Sequence, residues 1–173
     1  PTPRAPPHPL TTCSRRFRGK CAHAGVAPEE GRGAVAAAAQ AGAAMKLGRL
    51  DEETTANVGI IQGGEAVNIV PGRCYIQSEA RSHSLEKLEE QVSNMIDAIH
   101  LAAAEGEVDV EITVVDEFHG FDFSGGGLPI ELAERAFARM GRETQRLASG
   151  GGSDGTGFKL KGVPRGNRAD GSE

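Results

Sequence analysis

Three polar residues stand where a packed core would not put them. His23 sits at the end of an extended stretch, just before the Pro28 turn; Asn68 enters a short Pro71-bounded run after two glycines; Arg81 closes the polar face of another run. Imidazole donates or accepts a proton near neutral pH, and a guanidinium offers a planar fork to a carboxylate. Taken singly, each also reads as an ordinary strand-end histidine, turn asparagine or surface arginine.

Other chemistry is poorly supported. The histidines (His8, His23, His83, His100, His119) include no HExxH and no i, i+4 pair, and the pair His119 and Asp122 has no particular ligand geometry. Cys13 and Cys21 lie eight apart and Cys74 stands alone, so a zinc site made by this chain alone is not expected. Glu29-Glu30, Glu52-Glu53 and Glu89-Glu90 read as solvated helix ends and surface. Ser153 beside Asp154 has no histidine near it in sequence. Gly150-Gly151-Gly152 can cradle an anion through backbone N–H groups but lacks the lysine of a phosphate loop.

The elements that must position these groups follow from periodicity. An extended run is expected from Arg15 to His23, and an Ala-rich helix from Gly33 to Leu47, with a thin apolar face of Val35, Ala38, Ala39 and Met45. Ala56 to Gln62 is β-type. Arg73 to Arg81 alternates, with Cys74, Ile76 and Ala80 on one face and Tyr75, Gln77, Glu79 and Arg81 on the other. Leu85, Leu88, Val92, Met95, Ile99 and Ala102 recur at helical spacing until Gly106. Val108, Val110, Ile112 and Val114 then alternate as a half-buried strand. The order is βαββαβ over residues 15–117: an α+β, ferredoxin-like two-layer sandwich. Residues 1–14 read as a Pro-rich tail. Residues 118–173, with a helix from Pro129 to Met140 and two glycine clusters, read as part of a second, incomplete α/β domain.

Composition agrees. Of 173 residues only 38% are hydrophobic, 24 are glycine, and there is one Tyr, no Trp and six Phe. That is enough for one domain with loose ends. No apolar run approaches ~18 residues, so no membrane span is expected. Residues 1–20 carry five basic groups and no acid; without aromatics or a recognition motif they read as a solvated tail, not a nucleic-acid arm. Three cysteines and the absence of a leader pattern point to a reducing cytoplasm.

Several motifs carry a resemblance. Arg18-Gly-Lys-Cys-Ala-His-Ala-Gly-Val-Ala-Pro-Glu-Glu-Gly31, Thr54-Thr-Ala-Asn-Val-Gly59, Gly63-Gly-Glu-Ala-Val-Asn-Ile-Val-Pro71, Ser78-Glu-Ala-Arg-Ser82 and Ser149-Gly-Gly-Gly-Ser-Asp154 follow in order. Together, over roughly residues 16–164, they resemble the peptidase T-like tripeptide aminopeptidases, co-catalytic zinc hydrolases related to aminoacylase and carboxypeptidase G. The resemblance implies that residues 15–117 are the lid and dimerisation domain of such an enzyme, forming a homodimer. It implies that His23 stabilises the oxyanion formed on a small peptide substrate. By the same carry-over Asn68 and Arg81 hold the substrate, and Gly151, Gly152 and Ser153 form a substrate-facing loop. The two zinc ions of the intact enzyme have no ligands here: the HxD motif, bridging Asp, EE dyad and final His are all missing, and Gly155 replaces the usual Ala or Asn. The chain alone is therefore expected to bind no zinc and to be inactive. Two other readings stay open: a stand-alone ferredoxin-like interaction module, and the lid of a related acylase or carbamoylase.

Overall fold

The computed structural model describes residues 10–118 and 128–144. In chain order the elements are β1 (Leu10–Arg18), β2 (Ala22–His23), α1 (Ala34–Ala44), β3 (Gly48–Arg49), β4 (Thr54–Gly63), β5 (Ile69–Val70), β6 (Arg73–Ser82), α2 (Leu85–Glu105), β7 (Asp109–Phe118) and α3 (Leu128–Arg139). Five strands form one sheet in the order β3-β4-β6-β1-β7, and β2 pairs with β5 in a separate ribbon. Without β3 and the ribbon, the path β1-α1-β4-β6-α2-β7 is the ferredoxin-like α+β pattern. Leu10–Glu117 is one compact unit, and α3 belongs to another.

Pleating explains the layers. On β6, Cys74, Ile76, Ser78, Ala80 and Ser82 are buried under the helices, while Tyr75, Gln77, Glu79 and Arg81 face the other way and are half-buried. The opposite strand follows in antiparallel register, Cys13 against Ser78 and Phe17 against Cys74. Leu88, Met95, Ile99 and Ala102 of α2 close the core from above. Ser84 caps α2 by accepting from the Lys87 amide, and Gly106 ends it with its N–H on the Ala102 carbonyl.

Four expectations need correction. First, the leading strand starts at Leu10, not Arg15. Leu10, Thr11 and Cys13 are buried, paired with Arg81, Ala80 and Ser78; the prolines before them mask an apolar alternation that begins at once. Second, the basic stretch is not a solvated tail, since Arg15, Arg16 and Arg18 all lie in β1. Third, the run from Arg15 to His23 is two strands. At residue 19 the chain leaves the sheet, and Lys20 bridges to Arg32. Fourth, α1 buries Ala34, Ala37, Ala38 and Ala41, with Ala39 exposed. It stops at Ala44 so that Met45, in extended conformation, can turn into the core. In α2, Leu85 is likewise exposed, and Gln91 takes a buried place, donating to the Lys46 carbonyl at 2.9 Å.

Candidate functional site

The ribbon is built by two segments far apart in sequence. At the end of β1 the Gly19 amide donates to the Gly72 carbonyl at 2.8 Å. A side chain there is excluded, because a Cβ would lie 2.0 Å from the Arg32 carbonyl oxygen. Lys20 and Arg32 exchange backbone hydrogen bonds at 3.0 and 2.9 Å, which folds residues 20–32 into a closed loop. Within it β2 runs antiparallel to β5, Ala22 opposite Val70 and His23 opposite Ile69. The Ala24 amide extends the ladder to the Asn68 carbonyl at 2.8 Å. The ribbon is also fixed to the helix layer, since the first amide of α1, at Ala34, donates to the Pro71 carbonyl at 2.8 Å. That bond satisfies one of the donors a helix start leaves open, in place of the side-chain cap that Gly33 lacks.

His23 and Asn68 therefore stand on adjoining positions of one ribbon, and both are exposed. The imidazole is held by its backbone surroundings. Its Nδ1 accepts from the Gly25 amide at 3.2 Å, while the His23 carbonyl accepts from the Val26 and Ala27 amides at 3.1 and 3.0 Å. An accepting Nδ1 in a neutral ring puts the proton on Nε2. The group is thereby prepared to donate one N–H to an incoming oxygen.

Arg81 is not brought to the same place. It lies at the far end of β6, eight residues beyond Arg73 and so ~26 Å along the strand. There its guanidinium pairs with Glu79 through Nε to Oε1 at 3.1 Å and Nη2 to Oε2 at 2.9 Å. Gly151, Gly152 and Ser153 lie outside the described residues. Among the described residues no cluster of three or more His, Cys, Asp or Glu could hold a metal ion. The three cysteines are free, Cys13 and Cys74 buried and Cys21 exposed.

The motif segments also meet pairwise. Residues 18–31 and 63–71 make the ribbon, and residues 54–59 and 78–82 lie side by side, with Thr54 opposite Ser82 and Asn57 opposite Glu79. A family model described as the peptidase dimerisation domain matches residues 10–107, nearly the whole of this unit. The chain belongs to that family. The chain is 45% identical over 157 residues to the uncharacterized protein YqjE of Bacillus subtilis, covering 90% of this chain and 42% of that protein. Among solved structures it is similar to an aminopeptidase PepT from Bacillus cereus, at 41% identity and TM-score 0.78, covering 93% of this chain and 43% of the other. A tripeptidase from Staphylococcus aureus gives 36% identity and TM-score 0.80, with the same coverage. The chain thus spans less than half the length of these relatives.

Proposed function

We propose that this chain is the lid and dimerisation portion of a tripeptide aminopeptidase, and that His23 supplies an oxyanion contact to a small peptide substrate. One observation carries the reading: the His23 imidazole is fixed through Nδ1 to Gly25, beside Asn68, on an exposed ribbon of a domain similar to those of a PepT aminopeptidase and a tripeptidase. Nε2–H then meets the carbonyl oxygen as it gains negative charge. A preorganised donor contributes most at that point, because it is stronger in the transition state than in the ground state. Asn68 beside it offers an amide to the peptide backbone. Arg81, the other substrate contact in this scheme, is engaged with Glu79 at the other end of the sheet.

In the intact enzyme a pair of zinc ions would activate the attacking water. Among the described residues no group of His, Cys, Asp and Glu fits such a site; the role proposed for this chain is hydrogen bonding and assembly. The enzyme acts as a homodimer through this domain, in the cytoplasm, where the exposed Cys21 thiol stays reduced. The test is a tripeptidase assay on the full-length enzyme that carries this segment. His23→Ala should lower kcat by ~10²–10³ with little change in KM, the usual effect of removing an oxyanion donor. An unchanged kcat would remove His23 from the mechanism. Zinc-dependent hydrolysis by residues 1–173 alone would overturn the division of labour.

A further inference from the structure

The open face of the sheet, opposite α1 and α2, concentrates positive charge at one end. Register places Arg18 directly across from Arg73 and Arg16 across from Tyr75, and all three arginines are exposed. Like charges facing each other across strands destabilise a sheet unless something neutralises them. Among the described residues one carboxylate does so in part. Glu111, on the neighbouring β7, puts Oε2 3.2 Å from Arg18 Nη2 and 4.0 Å from Arg16 Nη1. Arg73 has no ion pair among the described residues. Two of the three guanidinium groups thus share one acid, with planar forks left over that match carboxylate geometry.

We propose that Arg16, Arg18 and Arg73 form a carboxylate-recognition face that takes an acidic peptide segment. Its carboxylates replace Glu111 against Arg18 and supply the missing partner of Arg73. Glu111 itself shows that a carboxylate reaches both Arg16 and Arg18. A nucleic acid suits the face less well. Asp109 and Glu111 border it on β7, Glu79 follows on β6, and its one aromatic ring, Tyr75, has its hydroxyl bonded to Ser14 Oγ at 3.2 Å and Gln77 Oε1 at 3.3 Å. A chain of closely spaced phosphates would meet those acids, while a few carboxylates need not. The site uses neither His23 nor Asn68, so it stands or falls separately from the oxyanion role.

The molecule carries its own probe. Tyr75 is the only tyrosine and there is no tryptophan, so tyrosine emission reports from this face alone. The 173-residue chain is titrated at low salt with a capped oligoglutamate peptide, and in parallel with inorganic phosphate and a single-stranded oligonucleotide. The expected result is a saturable change in Tyr75 emission with oligoglutamate that weakens as salt rises. The double variant Arg18→Gln/Arg73→Gln should bind roughly tenfold more weakly or worse, and Glu111→Gln should bind several-fold more tightly, which a misfolded variant would not do. No saturable response, equal affinity in the double variant, or binding of phosphate or oligonucleotide as tight as that of the peptide would each overturn the proposal.

Discussion

A guanidinium on the core face of a strand must find partners for its N–H groups among side chains suited to apolar packing. Arg15 is 0% exposed, between Cys13 and Phe17 on the buried side of β1. Its Nη1 donates to the Cys13 carbonyl at 3.0 Å and to Ser78 Oγ, but Nε and Nη2 meet no acceptor. Burial pushes its pKa below the ordinary arginine value, the direction expected of a cation taken out of water. Replacing a poorly satisfied buried charge by an apolar side chain of similar size commonly raises stability. Arg15→Met should therefore stabilise the fold by ~1–4 kcal/mol in urea unfolding, and Ser78→Ala should lower stability by ~1–3 kcal/mol by orphaning Nη1 further.

Asp51 gives a second residue-scale expectation. Its carboxylate accepts from the Glu53 and Thr54 amides at 2.8 and 2.7 Å and faces Lys87 Nζ at 3.2 Å. These contacts, led by the Glu53 amide, lower its pKa from 3.8 to about 2. A carboxyl depressed in the folded state contributes stability that is complete above pH 3.8 and is lost as pH falls towards about 2. Acid unfolding profiles of Asp51→Asn should lack that part of the loss.

Among the elements, α2 is legible from sequence because twenty-one residues repeat one period against a single surface. The alternation on β6 is legible for the same reason. β1 is harder: an adjacent pair, Arg15 and Arg16, gives no sign of which one is buried, and prolines precede Leu10. The small α1 face slips because alanines occupy nearly every position, so composition cannot choose a side. The ribbon lies beyond periodicity altogether, with two residues per strand and more than forty residues between them. His23 and Asn68 stand out only through the motifs around them, and nothing short of the fold says that they adjoin while Arg81 lies elsewhere.

The ribbon depends on one tight contact. A Cβ at Gly31 would come within 2.7 Å of Val70 Cγ1, so Gly31→Ala must push β5 away or move residues 28–33. The expected loss is ~1–3 kcal/mol from overpacking. It should be felt locally, as faster hydrogen exchange of the Ala24 amide, which bonds Asn68, with the α2 amides much less affected. Equal acceleration in both would show that the ribbon is not a separate unit of stability.

At the scale of the molecule, the contacts between β1 and β7 have a simple geometric sense. Thr11 Oγ1 donates to Asp116 Oδ1 at 2.9 Å, while Arg18 meets Glu111. The two strands run in opposite directions, and the beginning of one lies beside the end of the other. With its own core, the span Leu10–Glu117 should fold cooperatively when expressed by itself, which a single sharp thermal transition would show.

A polypeptide that enters and leaves a fold through neighbouring points can be rewired there. A few added residues joining Glu117 to Leu10 would close the backbone into a ring, and that ring can be reopened in an exposed loop such as Gly64-Glu65. Such a circular permutant keeps every strand pairing of the sheet. The Thr11–Asp116 hydrogen bond thus marks a natural splice point, where the unit can be lifted from one host protein and set into a surface loop of another.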